Sequence, residues 1–357
     1  ISIVINLRDN FIIYTVKRRK KMKNLKPFMY LLLFALLLAI STGCSAEKSK
    51  SAGAADEQIK LRYQGGAGTV SYPELAEDLG YFNSISLDYI GNSTGGPQDI
   101  QLVATDQIDF GNAFNGAIIK SVDKGVNITS VIGSYGSDEG TYNGYYTLEG
   151  SSIKTAKDLI GKKIGVNILG AHHEFVIKEY LRQNGLSEKE IQEVTLVVIP
   201  PGNTEQALRN NQIDVATLGS IFREKALERG GIEPLFTDFG LFGAFTAGTH
   251  FFSDSFIEEH PEAIREFVNG TAKAIEWARS TPKEEVIARL KNIIKKRDRN
   301  EDTELSNYWK STGISGPGGS IDEAEFQIWI DWLVENGDLN ENDVTLKDLY
   351  TNEFNTY

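Results

Sequence analysis

Residues 101–125, QLVATDQIDFGNAFNGAIIKSVDKG, and residues 206–230, QALRNNQIDVATLGSIFREKALERG, are two versions of one stretch. Six positions are identical at a constant offset of 105 residues, namely Gln101/Gln206, Gln107/Gln212, Ile108/Ile213, Asp109/Asp214, Lys120/Lys225 and Gly125/Gly230. A repeated unit of this length predicts two similar α/β lobes. Because two packed lobes leave a cleft between them, the repeat also predicts a place where a ligand binds.

The order of the predicted elements is the same around both copies. Hydrophobic periodicity and helix caps predict strand, loop, helix, strand, helix and strand in each lobe. The predicted strands and helices of the first lobe are residues 59–63, 71–80, 85–90, 97–105 and 107–110. Those of the second are residues 163–167, 174–183, 194–199, 205–210 and 212–216. After residue 252 the pattern becomes helical, with predicted helices at 261–278, 282–296 and 320–337.

Two apolar stretches, residues 143–148 and 242–252, flank the second lobe and are predicted to cross between the lobes as strands. The second lobe (147–246) is therefore an insertion in the first (59–146 and 247–357). The predicted fold is α/β and two-lobed, each lobe being a mostly parallel sheet flanked by helices. Two crossings form a hinge, and a hinge permits rigid-body closure of the lobes.

The front of the chain predicts export and lipid anchoring. A basic segment (17–26) precedes the apolar run FMYLLLFALLLAI at residues 28–40, which is too short to span a bilayer and fits a signal peptide. Cys44, the only cysteine of the chain, follows at once after Gly43 and resembles a lipidated cysteine. We interpret residues 1–43 as an upstream extension plus a lipoprotein signal peptide, and Met22 as the expected start. The alternatives are a short membrane anchor, or an ordinary signal with an incidental cysteine.

Charge separates the leader from the rest of the chain. The whole chain has 37 basic and 49 acidic residues, a net charge of −12. The first 43 residues carry eight Lys+Arg and one Asp, which leaves 29 basic and 48 acidic residues, a net −19, beyond them. An acidic surface excludes nucleic acid as a partner. Residues 44–58 are small and polar, and predict a flexible tether between the membrane and the lobes.

Candidate ligand-binding residues lie in the loops after the predicted strands, because ligands of open α/β sheets bind at the carboxyl ends of the strands. These loops lead into helix N-termini, whose free N–H groups and partial positive charge suit an anion. Turns also use glycine and serine for purely local reasons, which is the alternative for any one loop. The predicted ligand-binding residues are Gly65, Gly66, Thr69, Tyr72, Thr94, Gly95, Phe114, Asn115, Gly170, Ala171, His172, Asn203, Gly219 and Ser220.

The sequence predicts neither a metal site nor a catalytic set. His172 and His173 are adjacent, so on a helix they point about 100° apart and do not chelate one ion well. We expect His172 to line the cleft and His173 to pack outside it. Asp109 and Asp214 sit on the entry side of their strands, away from the loops, which indicates a structural role. Trp309 is expected in the core or at the cleft rim.

From residue 59 to its end, the chain resembles the nitrate/sulfonate/taurine-binding family of ABC-importer solute-binding proteins, which is also related to pyrimidine-precursor binders. The residues that carry the resemblance are segments 62–79, 101–113, 147–166 and 203–218. The resemblance implies a monomer without cofactor that captures a small anionic or polar solute, such as an aliphatic sulfonate, taurine or nitrate. It further implies lobe closure and delivery of the solute to a membrane permease driven by an ATPase, at the extracytoplasmic face of the membrane.

Two alternatives stay open beside that resemblance. The ligand could be a thiamine-pyrimidine or another heterocyclic precursor, since the cleft loops contain no arginine for a sulfonate clamp. The other alternative is an enzyme of pyrimidine or menaquinone synthesis on the same fold. The related pyrimidine-synthesis enzymes carry a cysteine cluster, which this chain lacks beyond Cys44, and a secretion leader argues against cytoplasmic substrates.

Overall fold

Residues 3–7, 10–14 and 58–357 are described by the structure, a computed structural model. The chain divides into two units, Ile1–Ala55 and Asp56–Tyr357. In the first, strand β1 (Ile3–Leu7) pairs antiparallel with strand β2 (Asn10–Tyr14). The predicted signal peptide, Cys44 and the tether up to residue 57 lie outside the described residues. Within the described part, every helix is too short or too polar to span a bilayer.

The second unit alternates strands and helices along most of its length. Its strands are β3 (Ile59–Gly65), β4 (Ile85–Asn92), β5 (Phe110–Phe114), β6 (Ile128–Ser137), β7 (Asn143–Leu148), β8 (Lys163–Val166), β9 (Thr195–Val198), β10 (Val215–Gly219), β11 (Ile232–Thr237) and β12 (Phe245–Ser253). Its helices begin with α1 (Tyr72–Asp78), α2 (Gly96–Ala104), α3 (Asn115–Asp123), α4 (His172–Gln183), α5 (Glu188–Gln192) and α6 (Pro201–Arg209). They continue with α7 (Ser220–Arg229), α8 (Asp238–Phe242), α9 (Asp254–Glu259), α10 (Pro261–Ser280), α11 (Lys283–Lys296) and α12 (Ala324–Glu335).

The strands of this unit assemble into sheets with the orders β3-β4, β5-β12-β6 and β11-β7-β10-β8-β9. Strand β8 runs parallel to β9 and β10, and β3 runs parallel to β4. Strand β12 is antiparallel to both of its neighbours, and so is β7. The sheets are therefore mixed where the repeat predicted mostly parallel ones. The reason is topological, because β7 and β12 are the first strands after each passage between the sheets.

The passages between the sheets are short. The chain leaves the three-stranded sheet after Ser137 and enters the five-stranded sheet at Asn143. It leaves that sheet after Thr237 and re-enters the three-stranded sheet at Phe245. All six residues of β7 thus pair within the five-stranded sheet, whereas the sequence placed the first four in the first lobe. The lobe boundaries themselves stay a prediction.

Both copies of the repeat have the same backbone. Asp106 and Asn211 occupy the left-handed region, with φ of 54° and 55°. In the next residue, Gln107 or Gln212, the N–H donates to the carbonyl five residues earlier at 2.9 Å. This turn ends the helix and delays the following strand. Strands β5 and β10 accordingly begin three residues later than predicted, by the same shift in both copies.

The paired aspartates fasten neighbouring strands together. Asp109 Oδ2 accepts the backbone N–H of Arg62 at 2.6 Å, and Asp214 Oδ2 accepts that of Lys163 at 2.8 Å. In return, each aspartate's N–H donates to the carbonyl of the same partner residue at 2.9 Å. These contacts lie where β5 and β10 begin, at the end of the strands remote from the loops. The predicted structural role of both residues is confirmed.

Two predicted elements of the second lobe differ from the structure. Residues 200–204 were predicted as a loop, but α6 begins at Pro201, because proline is well accommodated in the first helical turn. Residues 194–199 were predicted as a buried parallel strand; β9 does run parallel to β8, but it is the edge of its sheet and Val198 is 54% exposed.

Aromatic side chains dominate the core that joins the two sides of the cleft. Phe114, Phe175 and Trp329 belong to one buried cluster, with the Phe114 ring 4.9 Å from Phe175 and 4.7 Å from Trp329. A second cluster packs α10 against β3 and β4, and a third fills the five-stranded sheet around Tyr145 and Phe236. The C-terminal helices thus pack mainly on the side of the cleft that carries the β3-β4 and β5-β12-β6 sheets. We call this the first side and the side with the five-stranded sheet the opposite side.

Candidate functional site

A cavity of about 490 Å³ lies between the loops of the two sides. The carboxyl ends of β4, β5, β8 and β10, or the residues that directly follow them, all contribute to its wall, so the ends of the strands converge there as predicted. The volume is within the usual range for pockets that hold small molecules.

The structure brings eight of the predicted ligand-binding residues together around this cavity. They are Thr69, Tyr72, Gly95, Phe114, Ala171, His172, Gly219 and Ser220. Six others do not line it: Gly65, Gly66, Thr94, Asn115, Gly170 and Asn203.

Local hydrogen bonds explain why several of those six point elsewhere. Asn115 is fully buried, and its amide donates to the carbonyls of Thr246 and Glu325, both at 3.2 Å. Thr94 donates its backbone N–H to Gln98 at 2.9 Å. Asn115 thus joins elements of the core and Thr94 stabilises the start of α2, and the sequence pattern could not separate such roles from ligand contacts.

The remaining four are also accounted for locally. Gly170 donates its N–H to Glu174 Oε2 at 2.8 Å, at the start of α4. Asn203 is exposed in the first turn of α6, and Gly66 is exposed while Gly65 is covered by Tyr63 and Tyr89. The glycine-rich loop therefore reaches the cavity only through its last residues.

Aromatic residues form much of the wall. Tyr135, Tyr142, Phe222 and Trp309 line the cavity together with Tyr72. Sequence reasoning missed Tyr135, Tyr142 and Phe222, whereas Trp309 was expected in the core or at the cleft rim. Tyr135 comes from the interior of β6, Tyr142 from the passage after β6 and Phe222 from the first turn of α7. An aromatic residue outside a Gly/Ser loop gave no sequence signal that would separate wall from core.

The wall carries no formal charge. Among the lining residues that the structure describes, none is Lys, Arg, Asp or Glu. Its polar groups are hydroxyls, such as those of Thr69 and Ser311, and the side-chain amides of Asn112, Asn143 and Asn167. An ion in such a site would lose its hydration without gaining a counter-charge, which is costly.

His172 is held by a chain of contacts that ends at a buried carboxylate. Its Nδ1 lies 3.4 Å from Asn143 Nδ2, and Asn143 Nδ2 donates to Asp238 Oδ2 at 2.8 Å. Because the Asn143 amide nitrogen can only donate, His172 Nδ1 accepts and the proton resides on Nε2. The ring also stacks on Phe114, with centroids 5.1 Å apart. Burial lowers the pKa of His172 to about 3, so the imidazole is neutral.

Asp238 is the fixed end of this series of contacts. It is fully buried, and burial raises its pKa to about 6. Its carboxylate accepts from Ser137 Oγ, from the N–H groups of Asn143 and Phe239, and from the Asn143 amide. These donors keep it ionised at neutral pH, although it lies 3.5 Å from His172 Nε2 without a hydrogen bond to it. Asp238 therefore orients Asn143 and His172 without facing the cavity.

His173 departs from its prediction. It lines the cavity beside His172, with the two rings 6.2 Å apart, so the expectation that it packs outside is wrong. Burial lowers its pKa to about 3. Across residues 3–7, 10–14 and 58–357 there is no group of three or more His, Cys, Asp and Glu side chains suited to hold a metal ion.

The two sides of the cleft touch at its mouth. Gly95 follows β4, and a Cβ built there would lie 2.8 Å from Ile168 Cγ2 and 3.2 Å from Asn167 Nδ2, both in the loop after β8. Gly95 has φ of 148°, a conformation that favours glycine. A glycine at this position allows the loops to close on each other.

Comparison with known proteins gives a family and a fold. Residues 74–285, more than half of the chain, match the model of the family described as NMT1/THI5 like. A search of curated protein sequences gives no match.

Several solved structures share the architecture. The periplasmic aliphatic sulphonate binding protein SsuA from Escherichia coli matches with a TM-score of 0.61 and 19% identity, over 82% of this chain and 91% of that one. The periplasmic nitrate-binding protein NrtA from Synechocystis PCC 6803 matches with a TM-score of 0.63 and 12% identity, over 84% and 87%. The desulfurization enzyme DszB matches with a TM-score of 0.54 and 14% identity, over 83% and 97%. The predicted α/β fold of the periplasmic-binding-protein type is confirmed.

Proposed function

Because the chain belongs to the NMT1/THI5 like family, we propose that it is the extracytoplasmic solute-binding component of an ABC importer. The observation that carries the proposal is the cavity itself, whose wall comes from loops on both sides of the cleft. A site built this way binds its ligand by closing around it. Two of the similar structures are described as periplasmic binding proteins, which supports the same reading.

An enzymatic role has less support, although one similar structure is an enzyme. In the described part of the cavity wall there is no Cys, Lys, Asp or Glu to act as nucleophile or general acid. His172 contacts Asn143 and Asp238 rather than a serine hydroxyl. The wall therefore lacks the hydrogen-bonded nucleophile and base that covalent catalysis requires.

Two ligand classes fit the proposal, and the composition of the wall bears on the choice between them. A small anion such as a sulfonate, taurine or nitrate would depend on free backbone N–H groups, since no cation is at hand. Two such groups are already used, because Gly95 donates to Ser93 Oγ at 3.1 Å and Ser220 donates to the Tyr142 carbonyl at 3.2 Å. An uncharged, planar heterocycle suits the aromatic and amide groups better. We therefore favour a heterocyclic solute such as a thiamine-pyrimidine precursor.

The remaining parts of the proposal concern the cell. We propose that a lipid on Cys44 anchors the chain, that residues 44–58 tether it, and that a permease and its ATPase receive the solute. The chain acts as a monomer at the extracytoplasmic face. Replacing Cys44 with alanine should release the protein from the membrane fraction, and continued membrane association would contradict the lipid anchor.

A thermal-shift and calorimetric panel tests the solute. It includes taurine, an alkanesulfonate, nitrate and aminopyrimidines, each titrated against the purified chain. A ligand at 100 times its Kd should stabilise the fold by about 2.7 kcal/mol. Stabilisation by a sulfonate or nitrate would overturn the heterocycle, and the absence of any stabilisation would overturn both classes.

A matched pair of variants ties the binding to this cavity. Trp309 lines the cavity and Trp277 does not, and both are partly buried tryptophans packed on the same apolar cluster. Trp309→Leu should weaken binding at least tenfold, whereas Trp277→Leu should leave the Kd unchanged and only lower stability. Equal loss of affinity in both variants would place the site elsewhere.

A further inference from the structure

The segment that follows α11 extends from one side of the cleft to the other. We call residues 297–313 the strap. It contains a short 3₁₀ turn, Glu304–Tyr308, and four of its residues line the cavity, namely Ser306, Trp309, Ser311 and Thr312. The strap is therefore part of the cavity wall.

The first end of the strap is fixed on the side of the cleft that carries α1. Arg297 is only 6% exposed, its guanidinium lies 2.9 Å from Glu74 Oε2, and it donates to the Thr69 carbonyl at 2.7 Å. Glu301 Oε1 accepts the N–H of Gly68 at 3.3 Å. These contacts are buried or partly buried, so this end moves with α1 and the glycine-rich loop.

The middle of the strap lies on α7, which belongs to the opposite side. Lys225 Nζ is 2.8 Å from Glu304 Oε2, and Lys310 Nζ is 2.6 Å from Glu224 Oε2. The Tyr308 hydroxyl also donates to Glu228. Along the strap, acidic Glu304 precedes basic Lys310. Helix α7 supplies a basic partner for the first and an acidic partner for the second. Such alternation fixes one register between the two elements.

The last part of the strap meets the first passage between the sheets. Ser311 Oγ donates to Asp138 Oδ1 at 2.6 Å, and the Gly313 N–H donates to Asp138 Oδ2 at 3.1 Å. Asp138 also accepts the N–H groups of Gly140 and Thr141, which shape the passage. The strap is consequently linked to the segment that has to bend when the lobes open.

We propose that the strap is an electrostatic latch, in which the ion pairs of Glu304 and Lys310 with α7 hold the cleft closed. Together with the Tyr308–Glu228 hydrogen bond, these pairs are contacts that opening must break, because the two ends of the strap are attached to the first side and to the passage. Three of the four charged groups are between 21% and 47% exposed, so salt weakens them. Closure is then sensitive to ionic strength whatever the solute is.

Spin-label distances measure the latch without any ligand. The full chain carries Cys44→Ser, with labels on Ile90→Cys and Val198→Cys, two exposed positions near the carboxyl ends of β4 and β9. At low salt the distance distribution should have one short component, and 1 M NaCl should add a longer one. Glu304→Lys at low salt should lower the ratio of closed to open forms about three- to fivefold, as expected for one exposed ion pair.

A charge swap separates the latch from a general loss of stability. Glu304→Lys with Lys225→Glu should restore the short distance. The control swap is Lys120→Asp with Asp338→Lys, an ion pair of similar exposure within the first side, and it should leave the distances unchanged. If Glu304→Lys fails to fold by circular dichroism, Glu304→Gln replaces it. A swap that does not restore the distance, or a control that alters it, would overturn the latch while leaving solute binding untouched.

Discussion

Removal of the Asp109 carboxylate should destabilise the fold more than removal of its repeat partner Asp214. Asp109 is 7% exposed and accepts from Arg62 through the backbone N–H at 2.6 Å, through Nε at 3.1 Å and through Nη2 at 2.6 Å. Asp214 is half-buried, and the side-chain contact it makes with its partner strand is the Lys163 N–H at 2.8 Å. The two residues thus share one backbone contact, and Asp109 adds an ion pair.

The magnitude follows from those contacts. Loss of the shared acceptor leaves a strand N–H without a partner, which costs about 1 kcal/mol where water can replace it and up to about 3 kcal/mol where it cannot. The ion pair adds less, at most about 1 kcal/mol, because Arg62 is 36% exposed and keeps Asp106 at 2.7 Å. We expect Asp109→Ala to cost about 3 kcal/mol and Asp214→Ala about 1 kcal/mol.

Urea unfolding of the ligand-free chain, followed by circular dichroism, measures both values. Asp109→Asn is the control, because it keeps an oxygen acceptor for the Arg62 N–H and removes the charge, and its cost should lie between those of the two alanine variants. Equal costs for Asp109→Ala and Asp214→Ala would refute the reasoning. So would a variant that loses solute binding at full stability, since that would make the aspartate part of the site.

Two further predictions concern closure and pH. Gly95→Val should lower solute affinity at least tenfold by holding the loops apart at Ile168, measured by calorimetry. The control Gly80→Ala, at a φ of 74° with open space around it, should cost only about 1 kcal/mol of stability and no affinity. His250 is buried beside the Gly111 carbonyl, and burial lowers its pKa to about 4. Because its folded pKa lies below the unfolded value of about 6.5, its stability contribution is present above pH 6.5 and is lost towards pH 4, about 2 kcal/mol by pH 5. Unfolding curves at pH 7.5 and 5 should show a smaller difference for His250→Gln, and an unchanged difference would contradict this.

The repeat allowed the fold to be predicted because its shared residues determine backbone conformation rather than ligand contacts. Gln-Ile-Asp marks a helix end, a left-handed residue and a strand start, and these recur with the same hydrogen bonds in both copies. The three-residue error in the start of β5 and β10 has one cause. The polar residues of Gln107–Asp109 and Gln212–Asp214 alternate like a strand in sequence, but are used to end the helix and bridge to the next strand.

The cavity was predicted less completely than the fold. Loop position identified Gly95, Phe114 and Gly219, because the carboxyl ends of strands converge whatever their side chains are. It could not identify Tyr135 or Trp309, which come from a strand interior and from the strap. Their place depends on long-range packing, which periodicity does not report.

The two copies of the repeat have diverged at the residues that reach the cleft, and neither copy brings a charged side chain to the wall. In the first copy Phe114 lines the cavity, while the amide of Asn115 turns away and donates to two backbone carbonyls in the core. In the second copy Gly219 and Ser220 line it, and Ser220 has a φ of 37°, a costly conformation for a residue with a side chain. The N–H of Ser220 donates to the Tyr142 carbonyl. This hydrogen bond ties the N-terminus of α7 to the passage between the sheets and offsets the strain. The first copy thus provides an aromatic side chain for the wall. The second copy brings backbone close to the cavity, with the N–H of Ser220 already donating to the Tyr142 carbonyl. An anion would therefore have to rely on the remaining backbone N–H groups without a counter-charge, which supports the proposal of a neutral, planar solute.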